Sequence, residues 1–205
     1  MRGWFKAGLA MALVTAAMPA AGQVAGGFGA NHSDGEAFLE AIEKGDNNAA
    51  IPLIEQPNSG VANYKGYKGE TALHIATRKR ELEWVGYLLK KGADPNIVDS
   101  QGDTALMIAS RIGFEEAAQW MIQLGARVDT PNRRGETALI IAVQQRQPRL
   151  IEMLLRAGAN PDKGDHTAGL SAREYAKRDT RNPQLLKLIE TVKSIKKPVA
   201  GPSVN

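Results

Sequence analysis

Between residues 66 and 164 the apolar positions recur with a period far longer than one helical turn. Three segments read Gly69–Ala76 (GETALHIA), Gly102–Ala109 (GDTALMIA) and Gly135–Ala142 (GETALIIA), each 33 residues after the one before. Gly92-Ala93, Gly125-Ala126 and Gly158-Ala159 keep the same step, while Leu88-Leu89 becomes Met121-Ile122 and then Leu154-Leu155. Within each unit the pattern predicts two short helices. Thr71, Thr104 and Thr137 precede the apolar runs, where a hydroxyl can accept from the orphan N–H groups of a new helix. Leu73, Ile75 and Ala76 then form a narrow apolar face, with alanine where two helices must approach closely. Second helices are predicted over Glu81–Lys91, Phe114–Leu124 and Pro148–Ala157. Pro148 suits a first turn, where its missing N–H costs nothing, and Gly92, Gly125 and Gly158 suit a left-handed stop. Ala93–Gln101 and Ala126–Arg134 contain Asp, Asn, Pro and Ser and read as hairpin-like fingers. One helix pair cannot bury its own apolar face, so such units must stack.

Both flanks continue the pattern in altered form. Asn31–Lys65 carries Phe38, Leu39, Ala41, Ile42, Ile51, Leu53 and Ile54 at helical spacing, with Ser33-Asp34 as a start and a longer connection at Gln56–Gly66. Gly169–Ala176 (GLSAREYA) echoes the signature one residue late, and its second helix is predicted over Pro183–Ile195 with Leu185, Leu186, Leu188, Ile189 and Val192 inward. Arg173 and Glu174 replace the apolar and histidine positions, as a water-facing terminal unit requires.

The first 22 residues read as an export signal. Met1–Lys6 is a basic n-region, Ala7–Ala17 an apolar h-region, and Ala20-Ala21-Gly22 places small residues for cleavage before Gln23. The apolar stretch is interrupted by Pro19 and falls short of the about 20 residues a spanning helix needs, so no stable membrane insertion is expected after cleavage. Residues 23–32 are glycine-rich and read as a flexible mature N-terminus; 198–205 read as a disordered tail.

The chain has 205 residues, with 26 Lys and Arg against 22 Asp and Glu. Its net charge of +4 becomes +2 without Arg2 and Lys6. So modest an excess does not mark a nucleic-acid binder, which would show a clustered basic face. The absence of cysteine excludes disulfides, thiolate metal sites, a cysteine nucleophile and N-terminal lipoprotein acylation, and it suits an oxidising compartment.

The repeated residues strongly resemble the ankyrin repeat, whose period is 33 and whose signature reads T-P-L-H-x-A. The nearest match is Thr71-Ala72-Leu73-His74-Ile75-Ala76; alanine stands at the proline position in all three copies, and only the first keeps the histidine. The resemblance covers residues 31–197 and implies an all-α solenoid of stacked helix-turn-helix units with β-hairpin-like fingers. Its units are an N-cap at 31–65, repeats at 66–98, 99–131 and 132–164, and a C-cap at 165–197.

No catalytic constellation has adequate spacing, and no cofactor or metal is expected. His32, His74 and His166 lie in a tail, at a helix start and in a finger. The resemblance implies that His74 hydrogen-bonds within the signature turn. Gly26-Gly27-Phe28-Gly29 lacks the strand and helix that a phosphate loop requires. Tyr87 and Trp120 share one repeat position and are predicted in the core, Trp84 as a partly buried filler, and Met107, Met121 and Met153 as gap fillers.

Ankyrin repeats bind proteins through a concave face of finger tips and first-helix ends. Carried onto this chain, that face comprises Tyr67, Lys68 and Glu70, then Ser100, Gln101 and Asp103, then Arg133, Arg134 and Glu136. The helix ends add Arg78 and Lys79, Arg111, Gln144 and Gln145. Six bases against three acids predict a partner protein with an acidic patch. The resulting expectation is a monomeric, non-enzymatic, periplasmic or secreted interaction module. Similarity to small exported bacterial ankyrin proteins further implies a role in envelope or oxidative-stress protection. The alternatives are a secreted effector that binds a host protein, and an enzyme with an unfamiliar site. Fused to a reporter active only outside the cytoplasm, residues 1–30 are expected to direct export, with the purified protein starting at or near Gln23. Recovery of Met1 on envelope-fraction protein refutes the cleavage.

Overall fold

The computed structural model describes residues 32–192; the predicted export signal at 1–22, residues 23–31 and residues 193–205 lie outside them. The described residues form five helix pairs: α1 (His32–Lys44) with α2 (Asn47–Glu55), α3 (Ala72–Arg78) with α4 (Leu82–Lys90), α5 (Ala105–Ile112) with α6 (Glu115–Gln123), α7 (Ala138–Gln144) with α8 (Pro148–Arg156), and α9 (Ala172–Arg178) with α10 (Pro183–Thr191). A single 3-10 turn at Val61–Asn63 follows the first pair. The fold is an all-α repeat solenoid. Helix α10 is shorter than its sequence pattern predicts, because the backbone is already extended at Val192. None of the helices is long and apolar enough to cross a membrane among the described residues.

The first helices α1, α3, α5, α7 and α9 pack side by side in one layer, with the second helices behind them. That placement explains their composition. Ala72–Thr77 of α3, Ala105–Ser110 of α5 and Ala138–Val143 of α7 are buried without interruption. The Thr77 and Ser110 hydroxyls inside this layer donate to the Leu73 and Leu106 carbonyls, so burial leaves neither unsatisfied. The second helices bury one stripe each: Val85, Leu88 and Leu89; Ala117, Ala118 and Met121; Leu150, Ile151, Leu154 and Leu155. Met107 and Met121 are fully buried and Met153 partly so.

The tryptophans divide. Trp84 is half-buried, edge-on to Tyr87, with its indole N–H donating to Asn47 at 2.9 Å. Trp120, predicted in the core, is 36% exposed. It stands on the outer layer, beside the stripe of Ala117, Ala118 and Met121 that α6 buries. Its ring lies across Gly86, where an added Cβ would come within 2.8 Å of it. Tyr87 is half-buried and donates to Glu55 of the preceding pair.

The turns between paired helices repeat a left-handed residue every 33 positions: Arg80 (φ 61°), Gly113 (φ 71°) and Arg146 (φ 54°). An arginine there costs on the order of 1 kcal/mol relative to glycine. Each arginine offsets this by reaching into the next unit. Arg80 donates to the Ile112 carbonyl at 2.6 Å and lies over the Phe114 ring, and Arg146 pairs with Asp179 at 2.6 Å.

A second forward-reaching series starts at Asn63. Its amide donates to the Gly92 carbonyl at 2.9 Å and its carbonyl accepts from the Asp94 N–H at 2.7 Å. Asn96 does the same with Gly125 and Arg127, at 3.3 and 2.7 Å. The next position is Asp129, which accepts from the Asn160 N–H at 2.9 Å but has no amide for the Gly158 carbonyl. The last is Asp162, which pairs with Arg173 in the first turn of α9 at 2.6 Å. Arg173 holds the Asp162 carboxyl below its usual range. Asp129→Asn is therefore expected to stabilise the chain by about 0.5–1 kcal/mol, and Asn96→Ala to destabilise it by about 1–2 kcal/mol. Urea unfolding at neutral pH measures both; an Asp129→Asn variant no more stable than the parent refutes the missing-donor argument.

Candidate binding face

The second, third and fourth fingers are each built by one short polar side chain. Asp99 accepts from the Gln101 and Asp103 N–H groups at 2.8 and 2.9 Å. Asn132 accepts from Arg134 and Glu136, both at 2.9 Å. Asp165 accepts from Thr167, Ala168 and Gly169. The backbone closes each loop: Asp99 N–H to Asp103 O, Asn132 N–H to Glu136 O, and, one residue later, Asp165 N–H to Leu170 O. The predicted hairpins amount to isolated bridges, Val98 with Thr104 and Gly164 with Ser171.

Successive tips are then tied together by backbone. Ser100 N–H donates to Lys68 O at 2.9 Å, Arg133 to Gln101 at 3.0 Å, and His166 to Arg134 at 2.7 Å. This ladder is why glycine stands beside each tip. At Gly102 φ is +80°, and an added Cβ would lie 2.9 Å from the Arg133 nitrogen. The ladder holds Tyr67-Lys68, Ser100-Gln101 and Arg133-Arg134 at a fixed spacing, with Tyr67 almost wholly solvent-exposed at 99%.

Between the second and third fingers lies a cleft of about 270 Å³, lined by Gln101, Asp103, Arg111, Asn132, Arg133 and Arg134. Five of these six are residues assigned from the sequence; Asn132 is the addition. It is buried, and its amide donates to Asp103 at 2.8 Å and to Glu136 at 3.0 Å, so it laces one finger to the next. Its alignment with Asp99 and Asp165 was the available signal.

The acids of this face are all engaged. Glu70 pairs with Arg78, Asp103 with Arg111 at 2.8 Å, and Glu136 with Arg134 at 2.7 Å. Lys79 turns toward the first pair, donating to the Ile42 and Glu43 carbonyls and pairing with Glu81. Among the described residues, Lys68 and Arg133 are the two bases of the predicted row outside any ion pair. Both sit at exposed tips. Gln144 and Gln145, at the end of α7, are exposed and stand apart from this cleft. No group of three or more His, Cys, Asp or Glu among the described residues is placed to hold a metal ion.

A family model for ankyrin repeats (3 copies) matches residues 87–165, and one for ankyrin repeats (many copies) matches residues 41–109. Together they run from the middle of α1 to the fourth finger. Comparison with curated proteins gives no match.

His74 joins the face to the helices. Thr71 donates its backbone N–H to His74 Nδ1 at 3.1 Å, which assigns the ring proton to Nε2, and Nε2 donates to the Asp103 carbonyl at 3.1 Å. At the last unit Glu174 takes this capping role, accepting from the Ser171 N–H and hydroxyl. Burial holds the His74 imidazole below its ordinary range, against the opposing pull of the Asp103 carbonyl. Below about pH 6.5 the unfolded chain therefore gains a proton that the folded chain resists, and stability falls as pH drops. His74→Ala is expected to cost about 1–2 kcal/mol at pH 7.5. That gap should narrow by pH 5. A pH-independent gap in urea unfolding would show that His74 does not titrate with folding.

Proposed function

The chain belongs to the ankyrin repeat family, and on that premise we propose that it is an exported module that binds a protein bearing an acidic patch through its finger face. Ankyrin repeats are generally protein–protein interaction modules and typically not enzymes. The observation that carries the reading is the backbone ladder across the tips, which sets exposed Tyr67, Lys68 and Arg133 in one fixed row. A row fixed before binding loses little conformational freedom on association. Tyrosine and arginine are the side chains that most often dominate such contacts. Lys68 and Arg133 supply the long-range attraction, since the other bases of the row are engaged within the fold. The setting is periplasmic or secreted, following the signal read at residues 1–22.

The test is capture of a partner from an envelope extract on immobilised protein, followed by affinity measurement with the identified partner. Lys68→Glu with Arg133→Glu is expected to weaken binding at least tenfold, leave thermal unfolding unchanged and flatten the salt dependence. Tyr67→Ala is expected to weaken binding about fivefold or more. Arg134 is left intact because its reversal would also break the pair with Glu136. Unchanged affinity in the double reversal, or a larger effect from Glu116→Lys on the outer helix layer, overturns the face.

A further inference from the structure

The ion pairs of the finger face follow a rule of eight residues. The acid two positions before each first helix reaches the arginine at that helix's end: Glu70 to Arg78, and Asp103 to Arg111. In the third unit the acid remains as Glu136 but the helix ends in Gln144, and Glu136 turns to Arg134. In the fourth unit the arginine remains as Arg178, and the acid's place is taken by buried Leu170. Arg178 is thus left without its partner by the sequence itself. Among the described residues no carboxylate lies within ion-pair distance of it, and Glu174, one turn back, is held by Ser171.

Arg178 opens onto a cleft of about 410 Å³ between the ends of α7 and α9, shared with Gln144, Tyr175, Thr180 and Arg181. Its one acid, Asp179, is occupied: it accepts from Arg146, from the Asn182 amide and from the Arg181 N–H. Arg181 is exposed and outside any ion pair among the described residues. Two uncommitted guanidinium groups, with amide and hydroxyl groups beside them, suit a carboxylate, which accepts from arginine in paired, charge-assisted hydrogen bonds.

The geometry points to a second anchor on this face: the cleft at the ends of α7 and α9 binds a carboxylate of an acidic peptide segment through Arg178 and Arg181. This rests on the protein-binding reading above and names a further subsite for such a partner. Arg178 occupies the same place on its helix as Arg78 and Arg111, so the anchor continues the row of helix ends.

The test titrates the full chain, labelled for backbone and arginine side-chain NMR, with a capped tetraglutamate peptide, a capped tetraglutamine peptide and inorganic phosphate. Shifts at Tyr175, Thr180 and Arg181 are expected with tetraglutamate alone. Arg178→Gln with Arg181→Gln should weaken them about tenfold, whereas Lys68→Gln with Arg133→Gln should leave them unchanged. Leu170→Glu restores the missing acid and should suppress binding while keeping both arginines. If it fails to fold, the arginine pair still decides. Equal shifts with tetraglutamine, equal occupancy by phosphate, or shifts that survive the arginine double variant overturn the proposal. Loss of cleft binding with the tip residues still governing partner affinity would reject this subsite and leave the finger-face reading standing. Intact cleft binding with inert tips would do the reverse.

Discussion

A first helix buried along its whole length cannot exist without a neighbour on each side. In α3, α5 and α7 six consecutive residues are buried, and no single partner helix could cover such a surface. This constraint fixes the small alanines at each helix start, the polar caps that satisfy the new N–H groups, and the stacking of pairs into a row. It also determines what the fingers can be. Once the helices stack, the loops that precede them are brought close enough for their backbones to bond from tip to tip. The finger face is therefore a by-product of core packing, and its fixed spacing derives from the same interaction.

Most of that architecture was legible because it repeats. Two independent signals at the same step, the Gly-x-Thr run and the Gly-Ala pair, defined the units, and the caps at Thr104 and Thr137 lie where the pattern put them. Five of the six residues lining the finger cleft were also readable, since they follow from the register of the tips. Trp120 was misread because period alone does not distinguish a helix's inner stripe from a flank that a glycine on the neighbouring helix leaves open. The charge of the face was only half legible. Counting bases and acids gives only an excess of cations, and the pairing over eight residues, which leaves Lys68 and Arg133 as the uncommitted cations of that row, needed the finger and helix end to be brought together.

The cleft beside Arg178 was hidden by a register slip. The first helices start at 72, 105 and 138, and the next at 172, one residue beyond the period. The extra residue enlarges the last finger, where Asp165 gathers three backbone N–H groups and the Tyr175 hydroxyl at 2.5 Å. Aligned on the period of 33, Arg178 falls beside Gln145 and looks like an ordinary surface charge. Aligned on the helix start, it falls beside Gln144 and Arg111, and the missing acid becomes visible.

The two ends of the solenoid are consequently different in kind. Side chains tie neighbouring units in both directions: Asn63, Asn96, Arg80 and Arg146 reach toward the C-terminus, and Trp84, Tyr87, Lys91 and Asn132 toward the N-terminus. At the start of the row, Lys79 reaches backward and closes against the carbonyls ending α1. Asp162 finds Arg173, and Asp179 receives Arg146. Arg178 and Arg181 find no such partner among the described residues, and both line the cleft at the ends of α7 and α9. Under the binding reading proposed above, these two cations add long-range attraction for an acidic partner beyond that of the finger tips.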